Sequence, residues 1–268
     1  MAKQAQAHRG ETALITGASS GFGAEFAKLF ARDGYNLVLV ARSEDALNTL
    51  ADQLRAKYGV RVRVLPKDLA LPAAPDEIFA TLRDEVIPVD VLVNNAGFAT
   101  YGPFAEIALQ TEMDMLKVNM LALTHLTKLF LPGMLAQRRG KILNVASTAA
   151  FQPGPLMAAY YATKAYVLFL SEAIAEEVRG SGVTVTALCP GPARTGFQRR
   201  ANMEDSRLVS GRIMDARTVA VAGYRAMQQG RTVVIPGLRN RLLALTPRLG
   251  PRWLAARVVK NMQVRVAH

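Results

Sequence analysis

The residues most suited to chemistry are a tyrosine and a lysine four positions apart, Tyr160 and Lys164, with Ser147 upstream of them. On a helix this spacing places the tyrosine and the lysine on the same face. A free tyrosine has a pKa of about 10, and a neighbouring ammonium group would stabilise its phenolate and ease proton transfer near neutral pH. A serine hydroxyl can hold a substrate oxygen by hydrogen bonding. The set is suited to moving a proton to or from the oxygen of an alcohol or a carbonyl group.

A glycine-rich turn near the start of the chain is the second chemical signal. It follows the apolar segment from Ala13 to Thr16 and opens a helix that we predict to begin near Ala24. In this context the backbone can approach a pyrophosphate, and the helix N-terminus offers N–H groups and a favourable dipole. The glycine spacing differs from the commonest dinucleotide-binding pattern, and an ordinary tight turn is the alternative. The residues predicted to contact a dinucleotide here are Gly17, Ser19, Ser20, Gly21, Phe22 and Gly23.

A proton-transfer set combined with a phosphate-binding turn indicates nicotinamide-dependent chemistry, and the second apolar segment bears on which cofactor binds. That segment ends at Ala41, and the next residue is Arg42, with no carboxylate before Glu44. An acidic residue at this point would accept hydrogen bonds from the ribose 2′-hydroxyl of NAD, whereas an arginine accommodates the 2′-phosphate of NADP. Arg42 and the Ser19 hydroxyl therefore predict NADP(H) over NAD(H). The alternative is that Arg42 is a solvated surface residue.

Short apolar segments alternate with helical patterns, and this alternation predicts how the chemical residues are positioned. A clear helical pattern begins after Ser43 and is predicted to end at Gly59, whereas residues 71–75 are predicted to form a loop. With right-handed crossovers, the alternation predicts a doubly wound, Rossmann-like α/β fold. It has a parallel sheet of about seven strands with helices on both faces, in a single domain over residues 1–268 with a core of about 10–235. The predicted strands are Ala13 to Thr16, Leu37 to Val40, Val62 to Leu65, Val91 to Val93, Ile142 to Val145, Val183 to Leu188 and Val233 to Ile235.

Taken in order, these elements resemble the short-chain dehydrogenase/reductase family, in its compact single-domain branch. The resemblance covers about residues 10–235 and is specific because many elements recur in order. It implies that Tyr160 is the general acid/base, that Lys164 lowers the pKa of this tyrosine and binds the nicotinamide ribose, that Ser147 orients the substrate, and that Asn119 supports the proton relay. The matching elements are Thr16 through Gly23, Asp68, Asn94 through Gly97, Asn119, Ser147, Tyr160 with Lys164, and Pro190-Gly191-Pro192 followed by Thr195.

The same resemblance implies the remaining cofactor contacts. Asp68 and Leu69 should border the adenine, Asn95, Ala96 and Gly97 the ribose, and Pro190, Gly191 and Thr195 the nicotinamide side.

Three positions depart from the family pattern or complicate it. Phe22 stands where an isoleucine is usual, and Met120 replaces a small residue, but neither removes a catalytic group. Tyr161 could in principle serve as the acid/base, yet only Tyr160 has the family's spacing to a lysine. We therefore assign Tyr161 to packing or to the pocket wall.

The substrate is predicted to be a largely hydrophobic ketone or alcohol. The resemblance places a substrate flap over about residues 195–215, which mixes apolar residues with Arg199 and Arg200. The predicted apolar residues are Phe197, Met203, Leu208, Val209, Ile213 and Met214 in the flap, and Phe98, Tyr101, Phe104, Phe151 and Met157 elsewhere.

The formal net charge is +12, and most of the excess lies near the C-terminus because no acidic residue follows Asp215. We predict a basic helical extension over about residues 237–268, with a helix from Trp253 to Val266. One hypothesis is that this helix lies on acidic lipid as a peripheral membrane contact. The alternative is that it packs on a neighbouring subunit or over the pocket. Nucleic acid is not an expected partner, since no stacking motif accompanies the charge. The apolar side of the helix comprises Leu254, Val258 and Met262.

Composition narrows the remaining possibilities. Cys189 is the single cysteine and the three histidines are scattered, so we expect neither an intrachain disulfide nor a metal site. No apolar run approaches the roughly 18 residues of a membrane span, and the first ten residues lack the apolar centre of a secretory signal. We therefore expect a cytoplasmic protein, and peripheral membrane association through its basic tail is the hypothesis given above.

The sequence also supports predictions about subunit assembly and about function. The family resemblance implies a homodimer or homotetramer through the helices that carry Asn119 and Tyr160. The principal hypothesis for function is an NADP-dependent oxidoreductase that interconverts a carbonyl and an alcohol. The alternative is a nucleotide-binding redox sensor or scaffold with little turnover.

Overall fold

A parallel sheet organises the protein, whose computed structural model describes residues 8, 10–201, 203, 213–245 and 251–263. The strands are β1 (Thr12–Thr16), β2 (Asn36–Ala41), β3 (Val62–Pro66), β4 (Val91–Asn94), β5 (Gly140–Val145), β6 (Val183–Leu188), β7 (Ala193–Arg194), β8 (Met214–Asp215) and β9 (Val233–Val234). Seven of them form one parallel sheet in the order β3-β2-β1-β4-β5-β6-β9, and β7 pairs with β8. The predicted doubly wound fold is confirmed.

The helices alternate with the strands, as predicted. They are α1 (Gly21–Arg32), α2 (Glu44–Tyr58), α3 (Ala74–Asp84), α4 (Leu109–Leu116), α5 (Leu123–Ala136), α6 (Ala158–Glu177), α7 (Phe197–Arg200), α8 (Ala216–Gln228), α9 (Leu238–Leu245) and α10 (Arg252–Gln263). A π-helical segment, Lys117–Ala122, joins α4 to α5, and a 3₁₀ turn, Thr148–Phe151, follows β5.

Hydrophobic cores cover both faces of the sheet because side chains alternate along each strand. Ile15 of β1 belongs to a buried cluster with Phe30 of α1 on one face. Its neighbour Leu14 belongs to the opposite cluster, with Ile78 of α3 and Phe130 of α5. Burial on both faces explains why the strands are almost continuously apolar in sequence.

The strand order reverses between β1 and β4, and this reversal creates a crevice at the carboxyl ends of the strands. A buried polar ladder fixes α6 beside the crevice. Asn94 Nδ2 donates to Asn144 Oδ1 at 2.9 Å, and Asn144 Nδ2 donates to Ser171 Oγ at 2.9 Å. Because Ser171 lies on α6, the ladder sets the position of the helix that carries Tyr160 relative to β4 and β5.

Some local boundaries differ from the sequence-based expectations. Helix α1 begins at Gly21, earlier than the expected Ala24. Ser43 occupies the N-cap position of α2, but its side chain makes no capping hydrogen bond, whereas Gly59 ends the helix in the left-handed conformation as predicted. Within the expected loop, Pro75 lies in the first turn of α3, where its missing N–H costs nothing.

The C-terminal extension contains α9 and α10, and both carry basic residues such as Arg239 and Lys260. Residues 246–250 and 264–268, which complete the predicted extension, lie outside the described residues. Within the parts of the chain that the structure describes, none of the helices has the length and apolarity needed to cross a bilayer.

Candidate active site

A cavity of about 1040 Å³ opens at the carboxyl ends of the central strands, and it brings together most of the predicted site residues. Two predicted residues, Gly23 and Asn119, are not among its lining residues. Those that do line it are Gly17, Ser19, Ser20, Gly21, Phe22, Arg42, Asp68, Leu69, Asn95, Ala96, Gly97, Ser147, Tyr160, Lys164, Pro190, Gly191 and Thr195.

The glycine turn is shaped by close backbone contacts. Gly17 has φ +64°, and a Cβ atom there would lie 2.9 Å from the Ala96 Cα atom, so only glycine fits without strain. Asn95 Nδ2 donates to the Thr16 carbonyl at 2.8 Å and so holds the turn against the segment after β4. The turn leads directly into α1, whose first amides are available to an anionic group.

Gly23 lies beneath the turn. A Cβ atom at this position would lie 2.2 Å from the Gly17 carbonyl oxygen, and the residue is buried. Its lack of a side chain therefore lets the turn pack on α1. The structure shows this packing role for Gly23, and its predicted cofactor contact stays a prediction.

The end of the cavity beside β2 and β3 is basic. Arg42 is exposed and lines the cavity together with Ser19, as predicted. Lys67 lines it too and makes an ion pair of 2.5 Å with Glu77. Asp68 uses Oδ1 to accept a hydrogen bond from the Ala70 amide at 3.0 Å, which orders the turn after β3. Lys67 was missed in the sequence, although its place next to Asp68 at the carboxyl end of a strand could have indicated it.

Tyr160 and Lys164 lie side by side at the other end of the cavity. Both side chains are buried, and Lys164 Nζ lies 5.8 Å from the centroid of the Tyr160 ring. The ammonium group donates to the Val145 carbonyl at 2.8 Å. Ser147 Oγ accepts from the Ala149 amide at 3.1 Å and donates to the Pro190 carbonyl at 3.3 Å. The predicted helical spacing therefore places the phenol and the ammonium group in one cavity.

Burial dominates the protonation of this pair. It raises the pKa of Tyr160 above the usual value of 10.0, although hydrogen bonding with the Ser147 side chain opposes the rise. Burial also lowers the pKa of Lys164 from 10.5 to about 8. Burial is the largest influence on the phenol, and the lysine ammonium bonds to the Val145 carbonyl; the role of Lys164 in lowering the tyrosine pKa, which the family resemblance implies, stays a prediction. At neutral pH Tyr160 is therefore protonated.

Asn119 lies behind the cavity, in the π-helical segment. Its Nδ2 donates to the Phe98 carbonyl at 2.9 Å and to Thr163 Oγ1 at 3.1 Å, and its Oδ1 accepts from the Phe98 amide at 3.1 Å. The side chain thus links the segment after Gly97 to α6, where its partner Thr163 immediately precedes Lys164. Asn119 is not among the lining residues of the cavity, and its support of the proton relay stays a prediction.

The substrate end of the cavity is apolar, and four of the predicted wall residues line it: Phe98, Met157, Phe197 and Met203. The Phe197 ring packs on Tyr160, with 5.5 Å between ring centroids. Other predicted wall residues lie elsewhere. Phe104 is 68% exposed, Phe151 packs in a separate cluster, and Tyr101 lines a smaller recess. Ile213 and Met214 are not among the lining residues, and Leu208 and Val209 lie outside the described residues.

The C-terminal helix completes the cavity, which the sequence left as one of two alternatives. The apolar side of α10 lines the cavity, and its contact with lipid stays a prediction. Tyr161 also lines the cavity, in agreement with its assignment to the pocket wall. Lining residues that sequence reasoning missed include Gln152, Asn240, Leu243, Ala255 and Val259.

Comparison with known proteins places the chain among reductases and dehydrogenases. A family model described as short chain dehydrogenase matches residues 11–206. A very-long-chain 3-oxoacyl-CoA reductase from Pyrenophora tritici-repentis is 39% identical over 181 residues, which are 66% of this chain and 53% of that protein. The chain therefore spans about half the length of this curated relative.

Two solved structures are similar and hold different cofactors. A short-chain dehydrogenase from Sphingobium yanoikuyae in complex with NADPH is 36% identical, with a TM-score of 0.81 over 89% of this chain and 93% of that chain. A short chain dehydrogenase/reductase from Burkholderia phymatum in complex with NAD is 27% identical, with a TM-score of 0.80 over 97% of this chain and 99% of that chain. Both NADPH and NAD therefore occur in proteins of this fold.

Proposed function

The chain belongs to the short-chain dehydrogenase/reductase family, and on that premise we propose that it is an NADP(H)-dependent oxidoreductase that interconverts a carbonyl group and an alcohol on a hydrophobic substrate. The observation that carries the proposal is a single cavity. It is lined at one end by the turn at Gly17 and at the other by Ser147, Tyr160 and Lys164. The turn suits a pyrophosphate because its backbone packs closely on Ala96 at Gly17 and leads directly into the N-terminus of α1.

Tyr160 is the proposed general acid in the reduction direction. A nicotinamide cofactor, when bound, supplies the hydride to the carbonyl carbon. The buried phenol, whose raised pKa keeps it protonated, then gives its proton to the substrate oxygen as negative charge develops there. Lys164, with a pKa of about 8, is mostly cationic at pH 7 and supports the phenolate that remains. In oxidation the same groups act in reverse.

Ser147 is proposed to hold the substrate oxygen beside the phenol. Its hydrogen bond to the Pro190 carbonyl is long, at 3.3 Å, so the hydroxyl can turn toward a substrate oxygen at little cost. Its position next to Tyr160 is supported by the hydrogen bonding that opposes the rise in the tyrosine pKa. Two donors on one oxygen would stabilise the charge that forms during hydride addition.

NADP(H) is the proposed cofactor because Arg42 lines the basic end of the cavity. Among the described residues no ion pair with a carboxylate occupies this arginine, so its donors are available to a phosphate. The NADPH-bound relative agrees with this choice, and the NAD-bound relative leaves it open to experiment.

The substrate class is proposed from the apolar walls around Tyr160. Phe98, Met157 and Phe197 would surround the carbon skeleton of a ketone or an alcohol. The relative named as a very-long-chain 3-oxoacyl-CoA reductase supports a substrate with a ketone and a large apolar part.

A homodimer or homotetramer, in the cytoplasm, is also proposed. Leu121 and Phe169 are 62% and 65% exposed, and they lie on the segments that carry Asn119 and Tyr160. Large apolar side chains on these surfaces suit subunit contact. Light scattering after gel filtration gives the subunit number, and a mass equal to one chain would contradict this assembly.

The test of function is an NADPH absorbance assay over a panel of ketones and alcohols. We expect turnover with hydrophobic ketones and its loss in Tyr160→Phe. Nucleotide binding with no turnover on any panel member would instead favour the redox sensor or scaffold.

A further inference from the structure

We propose that α10 is a wall of the substrate site that binds a linear apolar chain of the substrate, and that Gln263 is the positioning residue that holds this wall beside the catalytic tyrosine. The inference rests on the proposed function and adds the substrate class: a carbonyl compound whose apolar chain extends along α10. The evidence for it is the apolar side of α10, which lines the cavity, and the hydrogen bonds of Gln263 at the end of this helix.

The face of α10 toward the cavity is an apolar stripe along the helix axis. Its residues repeat at helical spacing, and from the first to the last they span about 12 Å at 1.5 Å per residue. A stripe of that length matches an extended hydrocarbon chain better than a compact ring. The stripe comprises Leu254, Ala255, Val258, Val259 and Met262.

The stripe is still partly uncovered. Leu254, Val258 and Met262 are 43%, 49% and 37% exposed although all three line the cavity. Lys260, on the other side of the helix, is exposed to solvent. Covering the three apolar side chains with a hydrocarbon chain would remove their surface from water, which is the main source of affinity for an apolar ligand.

Gln263 ends the helix in a fully buried position. Its Nε2 donates to the Tyr161 hydroxyl at 2.6 Å, and its backbone carbonyl accepts from the Tyr101 hydroxyl at 2.5 Å. Tyr161 is the neighbour of Tyr160 on α6, and Tyr101 lies in the segment after β4. One residue therefore joins the C-terminal helix to α6 and to the segment after β4.

The chemistry of this contact favours a positioning role over simple packing. Gln263 Oε1 is buried and accepts no hydrogen bond from the described residues. A buried amide with an unpaired oxygen costs stability, and an apolar side chain of similar size would avoid that cost. We therefore infer that the Gln263 amide serves to position α10, because its hydrogen bond to Tyr161 sets the register of this helix along the cavity.

The test of the wall is a series of 2-alkanones with four to twelve carbons, reduced with NADPH. Burying each methylene group is worth up to about fourfold in affinity, so we expect kcat/KM to rise with chain length through KM once the chain reaches α10. Val258→Asn should flatten this rise, with a larger loss in kcat/KM for long ketones than for short ones. Lys260→Asn, on the same helix but away from the cavity, is the matched control and should keep the wild-type slope.

The test of the positioning role is Gln263→Leu, with Gln263→Asn as the conservative variant because it keeps an amide donor. We expect Gln263→Leu to raise KM for the longest ketones about tenfold, with a smaller effect on the shortest, and Gln263→Asn to restore part of the loss. The effects of Gln263→Leu and Tyr161→Phe should be non-additive in a double-mutant cycle, because both substitutions remove the same hydrogen bond. A purely structural residue would lower the melting temperature without altering the dependence on chain length.

The outcomes separate the two proposals. If none of the carbonyl compounds supports NADPH oxidation by the wild-type protein, the proposed function fails, and this inference fails with it. If it reduces short and long ketones but the chain-length slope is the same in Val258→Asn and wild type, α10 is not a substrate wall and the proposed function stands. If only the melting temperature of Gln263→Leu changes, its positioning role is refuted.

Discussion

The proposed preference for NADP(H) rests on Arg42, and replacing this residue is the sharpest test of the basic end of the cavity. Arg42→Ala removes a guanidinium group that lines the cavity next to Ser19. Because a 2′-phosphate is present in NADPH and absent from NADH, the loss should fall on NADPH alone.

The size of the effect follows from the exposure of the side chain. A charge-assisted hydrogen bond contributes about 1.5–3 kcal/mol when well shielded, but Arg42 is exposed, so screening reduces the expected loss to about 1–2 kcal/mol. This corresponds to a rise of about five- to thirtyfold in KM for NADPH. Lys67 lines the same end and would retain part of the attraction, which also keeps the effect below the full value.

The assay is KM for NADPH and for NADH at two salt concentrations, in wild type and in Arg42→Ala. Arg61→Ala is the matched control, since this exposed arginine precedes β3 at the opposite end of the strand. We expect the control to keep the wild-type preference, and the Arg42→Ala effect to shrink at high salt. A wild-type preference for NADH, or an unchanged ratio of the two KM values in Arg42→Ala, would refute the reasoning.

Three further predictions concern the catalytic end and the glycine turn. Tyr160→Phe should lower kcat by about 10²–10⁴-fold, as expected for loss of a general acid, and Tyr161→Phe should cost far less; equal losses in steady-state assays would argue against the assignment. Because burial lowers the pKa of Lys164 to about 8, its positive charge is present below that value and is lost as pH rises through it, so kcat/KM for reduction should fall above about pH 8; a flat profile to pH 10 would contradict this. Gly17→Ala should abolish nucleotide binding in a fluorescence titration and destabilise the fold, because φ is +64° and the new Cβ would lie 2.9 Å from the Ala96 Cα atom. The control is Gly59→Ala, at a position with φ +67° and open space around it. This variant should lower the free energy of unfolding by only about 1 kcal/mol on chemical denaturation and leave nucleotide binding unchanged.

Much of the fold was predictable because its signals are local. The seven core strands lie where the apolar segments indicated, and β6 (Val183–Leu188) matches its predicted bounds. Strand burial on both faces produces continuous apolar runs, and left-handed backbone at Gly59 favours glycine at a helix end. Pro75 was one exception, since a proline suits both a loop and the first turn of a helix.

The candidate site was predictable where residue type and spacing are enough. The four-residue spacing of Tyr160 and Lys164 places both in one cavity because a helix returns to the same face after one turn. Arg42 reaches the cavity because it follows the carboxyl end of β2, where ligands bind in this architecture.

Other features were decided only when distant segments packed together. Gly23 packs beneath Gly17 and Asn119 faces Phe98 and Thr163, and neither fact follows from residue type. The raised pKa of Tyr160 reflects burial by the assembled walls, which no local pattern encodes. The amphipathic pattern of α10 suits lipid, a subunit or a cavity. The structure places its apolar side along the cavity, where Gln263 bonds to Tyr161, 102 residues away in the chain, because a helix's own sequence determines which side is apolar but only the surrounding fold determines what lies against it.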